Sequence, residues 1–105
     1  MNKIDKEFNQ IAEAYYKRNR TKKIQTDCQA LVQLMLDKPK KTWWWSYEFV
    51  GQVNSKNQFL SHRAPARASD LCKDTYLVED RRIGKLKVYR LQTEFMHDVK
   101  EFLNT

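Results

Sequence analysis

Sharp turns are scarce in this chain, whose 105 residues include only two glycines and two prolines. So few turn-formers favour helices over a many-stranded sheet. The same residues act as punctuation. Pro39 marks the end of a helix, and Pro65 is tolerated only in the first turn of one. Gly84, between two β-like runs, supplies the backbone angles a tight hairpin needs. Gly51 falls in a polar, turn-like stretch with Asn54, Ser55 and Asn57.

Between these marks the apolar spacing predicts the elements. Ile4, Phe8, Ile11, Ala12 and Tyr15 share one helical face, giving an amphipathic helix over about residues 3–17. Residues 17–23 (KRNRTKK) follow, five of the seven basic; they read either as a solvated helix end or linker, or as a phosphate-contacting segment. Thr26 has the capping-box relation to Gln29 and opens the next helix, with Asp27 at the positive end of its dipole. Cys28, Leu31, Val32 and Met35 form that helix's stripe, widened by Leu34 and Leu36, so it is expected to be central. A further helix starts near 62–64 with Ala64, Ala68, Leu71 and Cys72 as a narrow packing face. Residues 76–82 and 86–91 are the hairpin strands. Thr93 caps a last helix carrying Phe95, Met96, Val99, Phe102 and Leu103 on one face.

Three consecutive tryptophans, Trp43 to Trp45, cannot all enter one small core. In a short strand over 42–45, Trp43 and Trp45 share one face and Trp44 takes the other. Ser46 is a good N-cap for a short helix over 47–53 with Glu48 in its first turn, which makes Trp45 and Val50 a hydrophobic staple. Trp44 is then left to cover a second helix, join a subunit interface or stack on a ligand.

The order of helix, short strand, helix, helix and hairpin resembles the winged helix-turn-helix superfamily. Locally, RAPARASDL followed by YLVEDRRIGKLKVYRL is similar to the recognition helix and wing of small phage- and prophage-type winged-helix proteins. The matching residues are Ala66-Arg67, Ala68, Asp70-Leu71 and Tyr89-Arg90-Leu91, and the resemblance spans about residues 26–91. Two positions depart from that pattern: alanine stands at 68 in place of an aliphatic residue, and Thr75 in place of a glycine. The resemblance implies an α+β, mostly helical fold: a winged helix-turn-helix with a small antiparallel sheet and extra N- and C-terminal helices. It also implies one domain over 1–105, with an N-terminal helix and basic segment over 1–23, a core over 26–91 and a C-terminal helix over 93–105. The first strand would pair with Val88 to Leu91. One sheet face would rest on the helices, and the terminal helices would cover the other with Trp44 as their anchor.

The charge agrees with a polyanionic partner. Twenty Lys and Arg stand against thirteen Asp and Glu, a net charge of +7 with a pI near 9.5. The expected function is double-stranded DNA binding by a small transcriptional regulator or a phage or mobile-element control protein. The helix over about 62–73 would enter the major groove, and the wing over about 78–90 would lie on the backbone or in the minor groove. The candidate DNA-binding residues are His62, Arg63, Arg67, Ser69 and Lys73 on the helix, and Arg81, Arg82, Lys85 and Lys87 on the wing. Arg67 also stands at i, i+3 from Asp70, a solvated pair that is compatible with DNA contact.

The alternatives are a winged-helix protein-interaction module, or a single-stranded nucleic-acid binder that uses the tryptophan run as a stacking platform. A homodimer through the terminal helices is expected, with Phe8, Tyr15, Trp44, Phe95 and Phe102 as candidate interface residues. No enzyme is expected, because no Ser-His-Asp order, phosphate-cradling glycine loop or metal-ligand cluster is found. No cofactor or metal is expected either: Cys28, Cys72, His62 and His97 fit no standard zinc spacing, and both cysteines read as reduced core residues of a cytosolic (cytoplasmic) protein. The N-terminal residues have no unbroken apolar run, so neither a signal peptide nor a membrane span is expected.

Overall fold

The computed structural model describes residues 22–104. The helix expected over 3–17, with Phe8 and Tyr15, lies outside the described residues, as do residues 17–21 of the basic segment. Among the described residues the fold is α+β, with three helices and a three-stranded antiparallel sheet. None of these helices is long and apolar enough to cross a membrane.

Helix α1 (Lys22–Asp37) is the central element. Cys28, Leu31, Val32 and Leu34 are fully buried along it, and Met35 nearly so. It stops at Asp37, two residues before Pro39, as proline requires of its predecessors. Its start differs from the expectation. Thr26 lies inside the helix instead of capping it, because Lys22 to Gln25 are adequate helix formers with no stop signal among them. Gln29 does not close a capping box; its amide donates to the Phe102 carbonyl at 2.9 Å and ties α1 to the C-terminal helix.

Helix α2 (Ala64–Asp74) carries Pro65 in its first turn, where no N–H is needed. Ala64, Ala68 and Leu71 are its buried stripe. The small side chains let it lie close to α1. Helix α3 (Met96–Leu103) follows a 3₁₀ turn over Thr93–Phe95, so the α-helix begins two residues later than a Thr93 cap would place it. Val99 and Phe102 are fully buried, and Phe95 sits edge-on to Tyr76 with ring centroids 4.9 Å apart.

The sheet has the order β1-β3-β2, with β1 at Trp44–Trp45, β2 at Val78–Ile83 and β3 at Leu86–Leu91. Strand β2 begins two residues later than expected, after a bend at Tyr76 and Leu77. The β2–β3 turn is two residues long, Gly84-Lys85, with Ile83 opposite Leu86. Gly84 takes φ +62° while Lys85 stays at negative φ, the II′ pattern that matches strand twist. Trp44 pairs with Tyr89 and Trp45 with Val88, the pairing expected for the first strand.

That register decides the faces. Trp44, Tyr89, Leu91 and Val78 point toward the helices and are buried. The Trp44 ring stacks on Phe49 at 5.2 Å and 17°. Trp44 is therefore a core residue, not an anchor for helices on the open side and not an interface residue. Phe102, at 0% exposure, belongs to the core for the same reason. Trp43 and Trp45 are on the opposite, open face, which no helix among the described residues covers.

After Trp45 the chain makes a single 3₁₀ turn, Ser46–Phe49, in place of a helix over 47–53. Ser46 does not cap it. Instead the Glu48 carboxylate accepts the Trp45 backbone N–H at 2.7 Å and pairs with Lys41 at 2.6 Å. Val50 is exposed, so the expected Trp45–Val50 staple does not form.

The polar stretch after Gly51 is held by Asn54, which is buried. Its amide donates to the Ala30 carbonyl at 3.0 Å, and its oxygen accepts from the backbone of Lys56 and Gln58. Asp37 receives the Ser55 backbone N–H and hydroxyl and the Gln33 amide, all within 2.8 Å. Burial raises its pKa, but these hydrogen bonds prevail and hold it below the usual carboxylate range.

Candidate nucleic-acid interface

The helix side of the candidate surface is set by the turn into α2. The Ser61 hydroxyl accepts the Arg63 backbone N–H at 3.2 Å, and Arg63 stands at the N-cap position. His62, Arg63, Ala66 and Lys73 are exposed, and Ser69 and Asp70 half-buried. Arg67 is not presented outward like Arg63. Its side chain is only 16% exposed, and its Nε lies 3.2 Å from Asp70 Oδ2. The same Nε is buried without a well-aligned hydrogen bond. The i, i+3 attraction and burial of the aliphatic stem draw this guanidinium along the helix surface.

The hairpin carries the second set. Arg81, Arg82 and Lys85 are exposed, and Lys87 is half-exposed. Across the two strands Lys87 pairs with Asp80 at 3.3 Å, and Arg90 pairs closely with Glu79 and reaches Glu94 at 3.3 Å. These pairs neutralise both acids of the hairpin. Among the described residues no ion pair holds Arg81, Arg82 or Lys85, so the positive field concentrates at the turn.

Helix and hairpin lie side by side. Burial pushes the Cys72 thiol of α2 up to about 12, and the charges of Asp80, Lys87 and Glu79 also act on it. Lys73, next to Cys72 in the sequence, is exposed in the last turn of α2, and on the hairpin Arg82 alternates with Asp80 and stands opposite Lys87. Arg63 marks the far end of the helix. A thiol held protonated in this way is a poor nucleophile.

The other sheet face joins Arg81, expected on the wing, to two members of the tryptophan run and to Ile83 and Val88, which the sequence did not point to. Trp43, Trp45, Arg81, Ile83 and Val88 line a cleft of about 190 Å³. Arg81 lies over the Trp43 ring at 4.8 Å, and Arg90 approaches the same ring at 5.7 Å. Val88 is 3% exposed, yet it belongs to no helix-facing cluster; the tryptophans and the hairpin cover it from outside. The shared parity of Trp43 and Trp45 was the available signal, but parity alone does not say which face stays open.

On α3, His97 pairs with Glu101 at 3.3 Å, and the Tyr76 hydroxyl donates to Asp98 at 2.9 Å. Ligating atoms of His97, Asp98 and Glu101 lie within 4.8 Å of one another. A comparison with family models, curated proteins and solved structures finds no match to this chain.

Proposed function

We propose that this chain is a winged-helix protein that binds double-stranded DNA, as a small transcriptional regulator or a control protein of phage or mobile-element type. Helix α2 acts as the recognition helix and the β2–β3 hairpin as the wing. The observation that carries the reading is exposed charge with no ion pair among the described residues on two adjoining elements: Arg63 and Lys73 on α2, and Arg81 and Arg82 on β2 with Lys85 at the hairpin turn. A row of cations on a short helix and a neighbouring hairpin matches two phosphate strands flanking a groove.

Phosphate contact then supplies most of the affinity and makes it strongly salt-dependent. Arg63 is the leading candidate for a bidentate base contact, worth about 1–3 kcal/mol of discrimination. Arg67 joins it by exchanging Asp70 for the nucleic acid. His62, Ser69 and Lys87 serve as flanking contacts.

The test is a titration of a labelled duplex of about 20 base pairs across a range of salt concentrations. Replacing both Arg82 and Lys85 by alanine is expected to weaken binding to all sequences and to lower the salt slope by about two. Arg63→Ala is expected to relax sequence preference in a selection from random duplexes. Wild-type protein that binds no duplex at low salt, or a double variant with an unchanged slope, would overturn the proposal.

A further inference from the structure

We infer that the cleft between Trp43 and Trp45 on the open sheet face receives one unpaired base of a nucleic-acid strand. The inference rests on the nucleic-acid reading above and deepens it. The preferred ligand becomes a duplex adjoining a single-stranded segment.

Three observations point to this occupant. The first is shape. Trp43 and Trp45 are two residues apart on one face, a spacing of about 6.8 Å along an extended chain. The cleft they line holds about 190 Å³, enough volume for one planar ring. Val88 is the floor of the cleft, and Ile83 and Arg81 form its far wall.

The second observation is exposure. Trp45 is 40% exposed and Ile83 50%, whereas Trp44 between the two tryptophans is 1% exposed. The fold has taken one indole into its core and left the others around a cleft.

The third is charge. The only acid on this face of the hairpin, Glu79, is taken by Arg90, while Arg81 sits over the Trp43 ring and has no acidic partner among the described residues. An apolar peptide side chain would satisfy the rings and leave the cation unanswered. A base attached to a phosphate satisfies both, stacking on the indoles while its phosphate meets Arg81 and Lys85.

The experiment compares a labelled blunt duplex with the same duplex carrying a six-thymidine single-stranded tail, at one fixed salt concentration. The tail is expected to tighten binding about ten-fold, within the range stacking on aromatic side chains supplies. Trp45→Ala is expected to remove that gain and leave blunt-duplex affinity unchanged, while Trp45→Phe keeps most of it. Circular dichroism verifies that each variant is folded. As a check independent of any variant, tailed duplex is expected to quench tryptophan emission more than blunt duplex does.

Equal affinity for the two duplexes in wild-type protein would overturn the inference and leave the duplex reading standing. Failure to bind either would overturn both. Sedimentation showing that Trp45→Ala converts a dimer to a monomer would assign the cleft to a second copy of the chain and overturn it as well.

Discussion

The two faces of the small sheet treat the same amino acid in opposite ways. Trp44 lies in the core, stacked on Phe49 beside Tyr89, while Trp45, one residue along, is two-fifths exposed against Val88. Composition, propensity and neighbourhood in sequence are nearly identical for the two. The difference comes from strand parity joined to one inter-strand register. A shift of one residue in the Trp44–Tyr89 pairing would exchange the faces. The register is held because the helix-facing side offers a complementary set of apolar side chains, and the open side only Val88 and the hairpin.

The sharpest way to break this comparison is to delete each ring in turn. Trp44→Ala removes a fully buried indole and is expected to cost about 3–5 kcal/mol. Trp45→Ala should cost well under half as much, since much of that ring already meets solvent. Urea unfolding followed by far-ultraviolet circular dichroism measures both. Equal losses would mean that the two faces are not distinct in the way described.

The strongest local signals in the sequence survived into the structure. Pro39, Pro65 and Gly84 placed the end of α1, the start of α2 and the hairpin turn to within about two residues, because each acts on its own backbone. Weaker local signals were overridden. Thr26 and Ser46 are both good caps, yet α1 runs through the first and the chain makes only one turn after the second. The open face of the sheet was assigned the wrong way round, since that choice depends on what packs against Trp44 from distant parts of the chain. Asn54 gave no sign that it would bond Ala30, 24 residues away. For the candidate site, Arg82 and Lys85 are exposed on the hairpin, while Arg81 lies over the Trp43 ring and Lys87 is paired with Asp80. Arg67 is not presented outward as expected, because Asp70 attracts it along the helix more than solvent does.

A second probe sharpens the comparison at the join between the faces. Glu48 holds the Trp45 backbone N–H and Lys41, fixing how the chain leaves β1. Burial raises its pKa, but Lys41 and the Trp45 amide outweigh that and hold it below the ordinary glutamate value. A carboxylate depressed in the folded state stabilises it above the unfolded pKa. That contribution is lost as pH falls through the folded value. Asp37 shifts in the same direction and acts with it. Stability is therefore expected to fall below about pH 4.5, as the carboxylates protonate. Glu48→Gln should flatten part of that decline, measured as the urea midpoint between pH 3 and pH 7. An unchanged acid limb would show that this carboxylate does not hold the turn.

The smallest expected effect separates helix from hairpin as sources of binding. Asp70→Ala removes a half-buried i, i+3 partner and should cost only about 0.2–0.5 kcal/mol of stability. It also releases the Arg67 guanidinium and removes one negative charge from the face that approaches phosphate. Duplex affinity should therefore rise while stability falls slightly, with a steeper salt dependence than wild type. The double variant lacking both Arg67 and Asp70 should lose the gain in affinity, which assigns it to the freed arginine rather than to the missing acid. If Asp70→Ala leaves affinity unchanged, α2 contributes little beyond Arg63. Recognition would then rest with the hairpin, where Arg81, Arg82 and Lys85 are exposed and have no acidic partner among the described residues.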